Sequence, residues 1–505
     1  MKQLLAVLIV TGCALGLEAQ SVYFSKQYSM FPDLPSVGFK VITMPDGYAF
    51  ATLEGASNNP KGSVLVITDK QGNFIHTKQF LPKRNAINGL TYHLEDSTFH
   101  FWGDYKFSDS PNLYRPYLTK TNWWGDTIWS SQFDYTSYNL CRNAIQLPDG
   151  GFMMLTTTSS NLDSNIIGLI RLDSDGNELW HKGYTTVFIL HDSYGLYLRN
   201  DSTLMVGYKG SYLFYDTLAP PSDGYGILEV DLEGNLKRDT FYLAYSILDS
   251  FTGWLSKSGS GDYVFVDRPP FLPGGSRYRL SCVNEDYEML WRKSPLSNDE
   301  AIYAPSFTIN DKGNMVSGGI SGGFGGLQPY ISEVNTEGEI LWERIARSPI
   351  LGQAFHGGAS FESIQPTDDG GYIVVGNFQH APPDYTFQSW LLKLDSLGCF
   401  EPGCQTGNYL TVGTDDEPKL ESSQPGLVIS PNPANESVQI SALKGPGRLF
   451  ITDVQGRPID TAPINIDGTL TLLTQNWPPG GYLIRYIGEK GKLLGINKLL
   501  VVHNK

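Results

Sequence analysis

The stretch Ile145-Gln146-Leu147-Pro148-Asp149-Gly150-Gly151-Phe152-Met153-Met154-Leu155 decides the fold. Two apolar runs of strand length flank an Asp-Gly turn, the form of a tight β-hairpin. A little further on, Ile167-Gly168-Leu169-Ile170-Arg171-Leu172-Asp173-Ser174-Asp175-Gly176-Asn177-Glu178-Leu179-Trp180 repeats the arrangement. The unit therefore reads as four strands, with turn chemistry between the first two and between the last two.

Working outward, the first turn recurs at Asp46-Gly47, Asp96-Ser97, Asp149-Gly150, Asp201-Ser202, Gly261-Asp262, Asp311-Lys312-Gly313 and Asp369-Gly370. The period is about 50 to 60 residues, too long for a hairpin and right for a four-stranded repeat. The second turn keeps phase with it, from Asp69 to Gly72, Asn122 to Gly125, Asp173 to Gly176, Asp231 to Gly234, Asn284 to Asp286, Asn335 to Gly338 and Asp395 to Gly398. Four-stranded units in such number bury their faces and protect their edges by stacking radially, which predicts an all-β, seven-bladed β-propeller over residues 20–404. Val22 to Tyr28 alternates like a fourth strand but precedes the first turn, while the seventh unit stops after its third strand. The N-terminal strand is therefore expected to complete the last blade and close the ring.

The last strand of several units carries a Trp at matching places: Trp129, Trp180, Trp291 and Trp342. These resemble the docking tryptophans of quinoprotein-type propeller repeats, and the expected role is packing between neighbouring blades. Because adjacent strands run antiparallel, the short turns share one face and the longer connections share the other. The long connections include Asp104 to Pro116, Lys209 to Gly226, Asp267 to Tyr278, Gly319 to Pro329 and Asn377 to Ser389. They are read as irregular loops, where binding residues tend to sit. Tyr105, Tyr114, Tyr215, Tyr225, Phe271, Phe324 and Tyr385 are the candidate ligand-binding aromatics, with flat faces suited to sugar rings or extended peptides; the alternative is that they pin their own loops. Trp123-Trp124, on the short-turn side, forms a separate candidate patch.

The chain of 505 residues has a formal charge of −15 and a pI near 5.0, which leaves no basic footprint for a phosphate backbone and excludes a nucleic-acid partner. Met1-Lys2-Gln3, an apolar run from Leu4 to Val10 and small residues up to Ala19 form a signal peptide over residues 1–19. Val10-Thr11-Gly12-Cys13 also has the form of a lipobox, the alternative in which Cys13 becomes a lipidated terminus. No later run reaches the length of roughly 20 apolar residues that a membrane helix needs. Cys399 and Cys404 flank a Pro-Gly turn and are expected to form a local disulfide in an oxidising compartment. Cys141 and Cys282 lie in strand-like runs and read as buried free thiols.

Catalytic signatures are sparse. The histidines lack metal-ligand spacing, so no metal site is expected, and Asp173 to Glu178 reads as a turn rather than a calcium loop. There is no nucleophile elbow and no phosphate-cradling loop, and no cofactor is implied. Paired carboxylates could still converge from different blades at the axis, where sequence spacing carries no information.

After Cys404 the composition turns polar, and residues 405–426 read as an exposed linker. Short strands then return with Leu427 to Ala434, including Pro431-Asn432-Pro433, then Leu449 to Asp453 and on to Gly456-Arg457, then Pro479-Gly480-Gly481-Tyr482 to Arg485, and Lys498 to Val502. Alternating apolar positions between tight bends predict a small Ig-like β-sandwich over residues 427–505. The series resembles the type A sorting domain of type IX secretion, found in the phylum Bacteroidetes. The resemblance implies recognition by that secretion machinery, removal of the tail in the linker, and a product secreted or attached to the outer-membrane surface. The expected activity is binding or adhesion to a glycan or protein ligand. Alternatives are an extracellular glycan- or peptide-degrading enzyme with an axial site, separated by substrate shortening, and a surface-layer or gliding-related structural protein, separated by self-association.

Overall fold

The computed structural model describes residues 23–29, 34–56, 59–80, 85–109, 112–135, 138–161, 164–185, 189–212, 222–243, 255–267, 279–293, 301–323, 326–347, 359–379, 386–399, 409–411, 427–442, 447–453, 458–464, 469–488 and 493–502. Among these residues every regular element is a strand. β1 (Phe24–Tyr28) precedes a series of antiparallel groups. β2 (Ser36–Met44), β3 (Gly47–Ala56), β4 (Asn59–Asp69) and β5 (Phe74–Phe80) pair in that order, as do β6 (Asn85–His93), β7 (Thr98–Asp109), β8 (Asn112–Thr121) and β9 (Thr127–Gln132). β10 (Tyr138–Gln146), β11 (Phe152–Asn161), β12 (Ser164–Leu172) and β13 (Glu178–Tyr184) follow, then β14 (Ile189–Asn200), β15 (Thr203–Tyr212), β16 (Ser222–Asp231) and β17 (Leu236–Leu243). A single pair, Asn165 with Leu190, joins these two groups into one sheet. β18 (Leu255–Lys257), β19 (Tyr263–Asp267), β20 (Arg279–Val283) and β21 (Met289–Lys293) form the next sheet. β22 (Ala301–Ile309), β23 (Met315–Gly323), β24 (Gly326–Val334) and β25 (Ile340–Arg347) form another. β26 (Ala359–Pro366), β27 (Tyr372–Gln379) and β28 (Phe387–Leu394) take β1 as their fourth strand, with Phe24 opposite Lys393 and Tyr28 opposite Ser389. The start of the chain thus covers the edge that β28 would otherwise present to solvent.

The first strands make a circuit. β2 packs beside β6, β6 beside β10, β10 beside β14, β14 beside β18, β18 beside β22, β22 beside β26, and β26 beside β2. The arrangement is propeller-like, and the apolar side chains lie between successive sheets: Val41, Phe50, Val64, Val66, Ile373, Val375 and Leu391, for example, form one cluster across the closing seam.

The second turns share one construction. The leading Asp or Asn turns its side-chain oxygen onto the backbone amides two and four residues on. Asp173 Oδ1 accepts from Asp175 and Asn177 at 3.0 and 2.8 Å, and Asn335 Oδ1 from Glu337 and Glu339 at 3.1 and 2.7 Å. The fourth position is left-handed, φ +76° at Gly234, and its bare Cα receives a side chain from the preceding sheet. A Cβ on Gly234 would stand 2.8 Å from the Trp180 ring, one on Gly176 2.6 Å from Trp129, one on Gly338 2.9 Å from Trp291, and one on Gly398 2.5 Å from Trp342. On the closing side, Phe24 of β1 takes the same place against Gly72. Where the leading strand is β17, the pair is inverted in chemistry: Arg238 lies over the ring of Tyr287, which holds φ +68° where the other turns have Gly.

Several expected loops are strands instead. β7 and β8 stay paired out to Asp109 and Asn112, β15 and β16 to Tyr212 and Ser222, and β23 and β24 to Gly323 and Gly326. An antiparallel ladder satisfies backbone groups that an irregular loop would leave to water, so it runs on past the body of the sheet. The stretch read as a linker also contains a short strand: β29 (Tyr409–Thr411) adds in parallel to β25, Ile345 opposite Tyr409. β25 is an outer strand with open hydrogen-bonding groups, and Tyr-Leu-Thr is composed to use them.

The C-terminal residues form two sheets around a separate core. One holds β30 (Leu427–Ser430), β31 (Ser437–Ala442) and β34 (Thr469–Leu473); the other orders β33 (Pro458–Ile464), β32 (Gly447–Asp453), β35 (Gly480–Gly488) and β36 (Leu493–Val501). Leu427, Val438, Ile440, Leu449, Ile451, Tyr482, Ile484, Tyr486 and Val501 are buried together between them.

Candidate functional site

Five of the seven first strands in the circuit, β2, β6, β10, β14 and β26, are interrupted by a one-residue β-bulge at nearly the same phase. The ladder steps over Phe39, Asn88, Arg142, Tyr194 and Glu362. A bulge re-aims the side chain it releases, and here it does so on strands that face one another around a ring. At the closing seam Glu362 is held by Ser360 and lies 3.5 Å from Asn377 Nδ2, while Asn377 Oδ1 accepts from the Gly38 amide at 2.6 Å. Burial pushes Lys40 down to about 8, opposed by the neighbouring Glu362 carboxylate. Burial likewise raises Glu362, against the hydrogen bond from Ser360 and the charge of Lys40.

A second cluster occupies the seam between the β6–β9 and β10–β13 groups. Asn88 Nδ2 donates to Asp104 Oδ2 at 2.8 Å and to the Cys141 carbonyl at 2.7 Å, and Asp104 Oδ1 accepts from the Cys141 amide. Asp104 is buried, and Arg142 follows Cys141 on the bulge. Chemically the closing seam offers a carboxyl–ammonium pair, and the second seam a buried carboxylate and amide gripping the Cys141 backbone next to Arg142, with the groups drawn from first and second strands.

The aromatic candidates are dispersed. Tyr105 lies in β7 and packs against the core around Phe101 and Tyr117, so its ring supports the hairpin rather than a free surface. Tyr114 lies in β8, opposite Lys106 in the same extended hairpin, and Tyr225 lies in β16. Tyr215, Phe271, Phe324 and Tyr385 fall outside the described residues, as do the signal peptide, Cys13, Cys404, Gly456 and Arg457. Trp123-Trp124 is not an open patch: Trp123 is 1% exposed, and Trp124 is half-buried with its ring 5.0 Å from His76, edge-on. His76 stands in β5 where later units have Trp, and so takes the next turn as its partner. Cys141 and Cys282 are buried free thiols, and Cys399 is buried at the end of its turn.

Sequence reasoning missed the bulge residues. Their only signal is phase, with positions 39, 142 and 362 standing against turn aspartates at 46, 149 and 369. A bulge is set by pairing, which a single strand does not display.

In the C-terminal domain the motif residues converge at one end. Asn432 Oδ1 accepts from the Leu500 amide at 2.8 Å, Gly481 pairs with Leu500, and Asp453 pairs with Tyr482. Pro431 and Pro433 flank Asn432, both after cis peptide bonds. Ala434 is stitched to the same strand, its amide to the Leu500 carbonyl at 2.7 Å and its carbonyl to the Val502 amide at 2.8 Å. Gly480 pairs with Val501, so both glycines of the bend lie along β36.

No curated protein sequence matches the chain. Among solved structures, it is similar to a polysaccharide lyase of a family described as PL25 ulvan lyase, at 9% identity and TM-score 0.48, covering 74% of this chain and 94% of that one. It is also similar to Drosophila Semaphorin 2a, at 8% identity and TM-score 0.44, covering 96% and 98%. PorZ, a surface component of the type IX secretion system of Porphyromonas gingivalis, aligns at 12% identity and TM-score 0.26, covering 92% and 75%. Likenesses this distant carry no argument about activity. Among the described residues no helix is long and apolar enough to cross a membrane. Residues 428–501 match the family model described as the secretion system C-terminal sorting domain, so this chain carries the sorting signal of type IX export and is delivered outside the cell, either released or held at its surface.

Proposed function

We propose that the chain is an exported seven-bladed β-propeller with an Ig-like sorting tail, and that it binds a glycan or peptide ligand at the long-connection end of the ring. The circuit of first strands, closed by β1 on β28, supports the blade count. The Trp–Gly contacts between successive sheets support blade docking as the role of Trp129, Trp180, Trp291 and Trp342. The observation that carries the binding reading is the pair of bulge clusters, Lys40–Glu362–Asn377 and Asn88–Asp104–Arg142. Both bring hydrogen-bonding and charged groups of first and second strands together, a chemistry that suits a polyhydroxylated or anionic ligand.

A glycan array and a cell-adhesion assay with the secreted form test this. Binding that is lost in R142A and E362Q supports the assignment, and blank arrays with no adhesion end it. A chain ending before Leu427 is expected to stay in the periplasm, which tests the tail's role separately.

An enzymatic reading has one specific observation in its favour. Lys40, pushed down to about 8 by burial, sits beside the Glu362 carboxyl, so its ammonium can release a proton just above neutral pH with an acidic group at hand. Its test is polysaccharide shortening by the wild type that K40M abolishes.

A further inference from the structure

Arg485 lies in the middle of β35 between Ile484 and Tyr486, which both point into the sandwich core. Strand alternation sends Arg485 to the opposite, outer face, where water is the expected neighbour. It is nevertheless only 8% exposed. Its guanidinium reaches the short-turn side of the first two groups, donating to Ser97 Oγ at 3.2 Å and standing 3.5 Å from Asp46 Oδ2 and 5.4 Å from the centre of the Trp123 ring. Asp46 and Ser97 are the first-turn residues of neighbouring groups, both buried, and Trp123 belongs to the second turn between β8 and β9. Three turns thus converge on one side chain: an acceptor, a carboxylate and an aromatic face around a planar cation.

We infer that these turns form an arginine-binding pocket, and that Arg485 is a latch docking the sorting domain on the short-turn face of the body. Exposed ion pairs contribute little, but here both partners are withdrawn from water, so removing either leaves a buried charge without its counterpart. Arginine suits the site where lysine does not, since one planar fork must satisfy Asp46 and Ser97 while lying near Trp123. The latch also fits the asymmetry of the ring, because it occupies the face opposite the long connections and leaves that end open.

The test uses residues 20–505 purified with the tail still attached, and three variants, R485A, R485K and D46N, examined by small-angle scattering and amide hydrogen exchange. Both R485A and D46N are expected to lengthen the particle and speed exchange at residues 95–99 and 122–126 at least tenfold, with R485K falling between. The double variant R485A/D46N is expected to go no further than either single one. D46N leaves the tail sequence intact, so it decides the matter if R485A disturbs the sandwich. Unchanged scattering and exchange in D46N, or strictly additive effects in the double variant, would overturn the latch.

Discussion

A lysine ammonium that leaves water loses hydration that one nearby carboxylate replaces only in part, and Lys40 does so beside Glu362. The consequence for stability has a definite sign. Because the folded-state pKa lies near 8, below the ordinary value of 10.5, the unfolded chain holds more protons between those values. Stability contributed by this group therefore rises with pH across that window. K40M removes the group, so the melting temperature of the wild type relative to K40M is expected to climb between pH 8 and pH 10 and to be flat below pH 7. A flat difference throughout would mean that Lys40 is solvated. The cysteines give a second prediction at this scale. Cys399 and Cys404 are proposed to be paired, so alkylation of the unfolded, unreduced secreted chain should label Cys141 and Cys282 only. Labelling at four sites after signal removal would refute the pairing.

Between elements, the decisive joint is the side chain of an outer strand resting on the next group's turn. Gly234 combines a left-handed backbone with the Trp180 ring 2.8 Å from where a Cβ would stand. Gly234→Ala is therefore expected to cost about 1–3 kcal/mol, from the strained backbone together with overpacking. Trp342, buried at 9% exposure and donating from Nε1 to Glu333 at 2.7 Å, fills the same place against Gly398. Trp342→Ala should cost about 3–5 kcal/mol, chiefly through lost burial, since Glu333 keeps Tyr372, Asn310 and Asn314 as donors. Urea unfolding of each variant measures both. If Gly234→Ala is neutral, the contact between groups is looser than the geometry requires.

For the whole molecule, closure by β1 is what distinguishes a ring from an open stack. Deleting residues 20–28 uncovers β28 and removes the buried side chains of Phe24 and Tyr28, each worth about 1.5–3 kcal/mol when fully buried. The truncated chain is expected to unfold at lower urea and to elute as oligomers, because a bare edge pairs with another chain. Monomeric elution at unchanged stability would show that closure does not depend on β1.

What is local or periodic was legible in the sequence: the hairpin turns, the β1 alternation, the sorting motifs in the C-terminal region and the acidic net charge. Turn chemistry acts over four or five residues, and a repeat multiplies it until phase becomes visible. Extended hairpins at Asp109–Asn112 and Tyr212–Ser222 were hidden because polar strand residues beyond the body resemble loop residues. Only the tertiary structure decided which side chains meet. The bulges at Asn88, Arg142 and Glu362 arise from pairing one strand against another, and Arg485 meets Asp46 and Ser97 across more than half the chain. Burial and ion pairing depend on distances in space, and no single segment carries them.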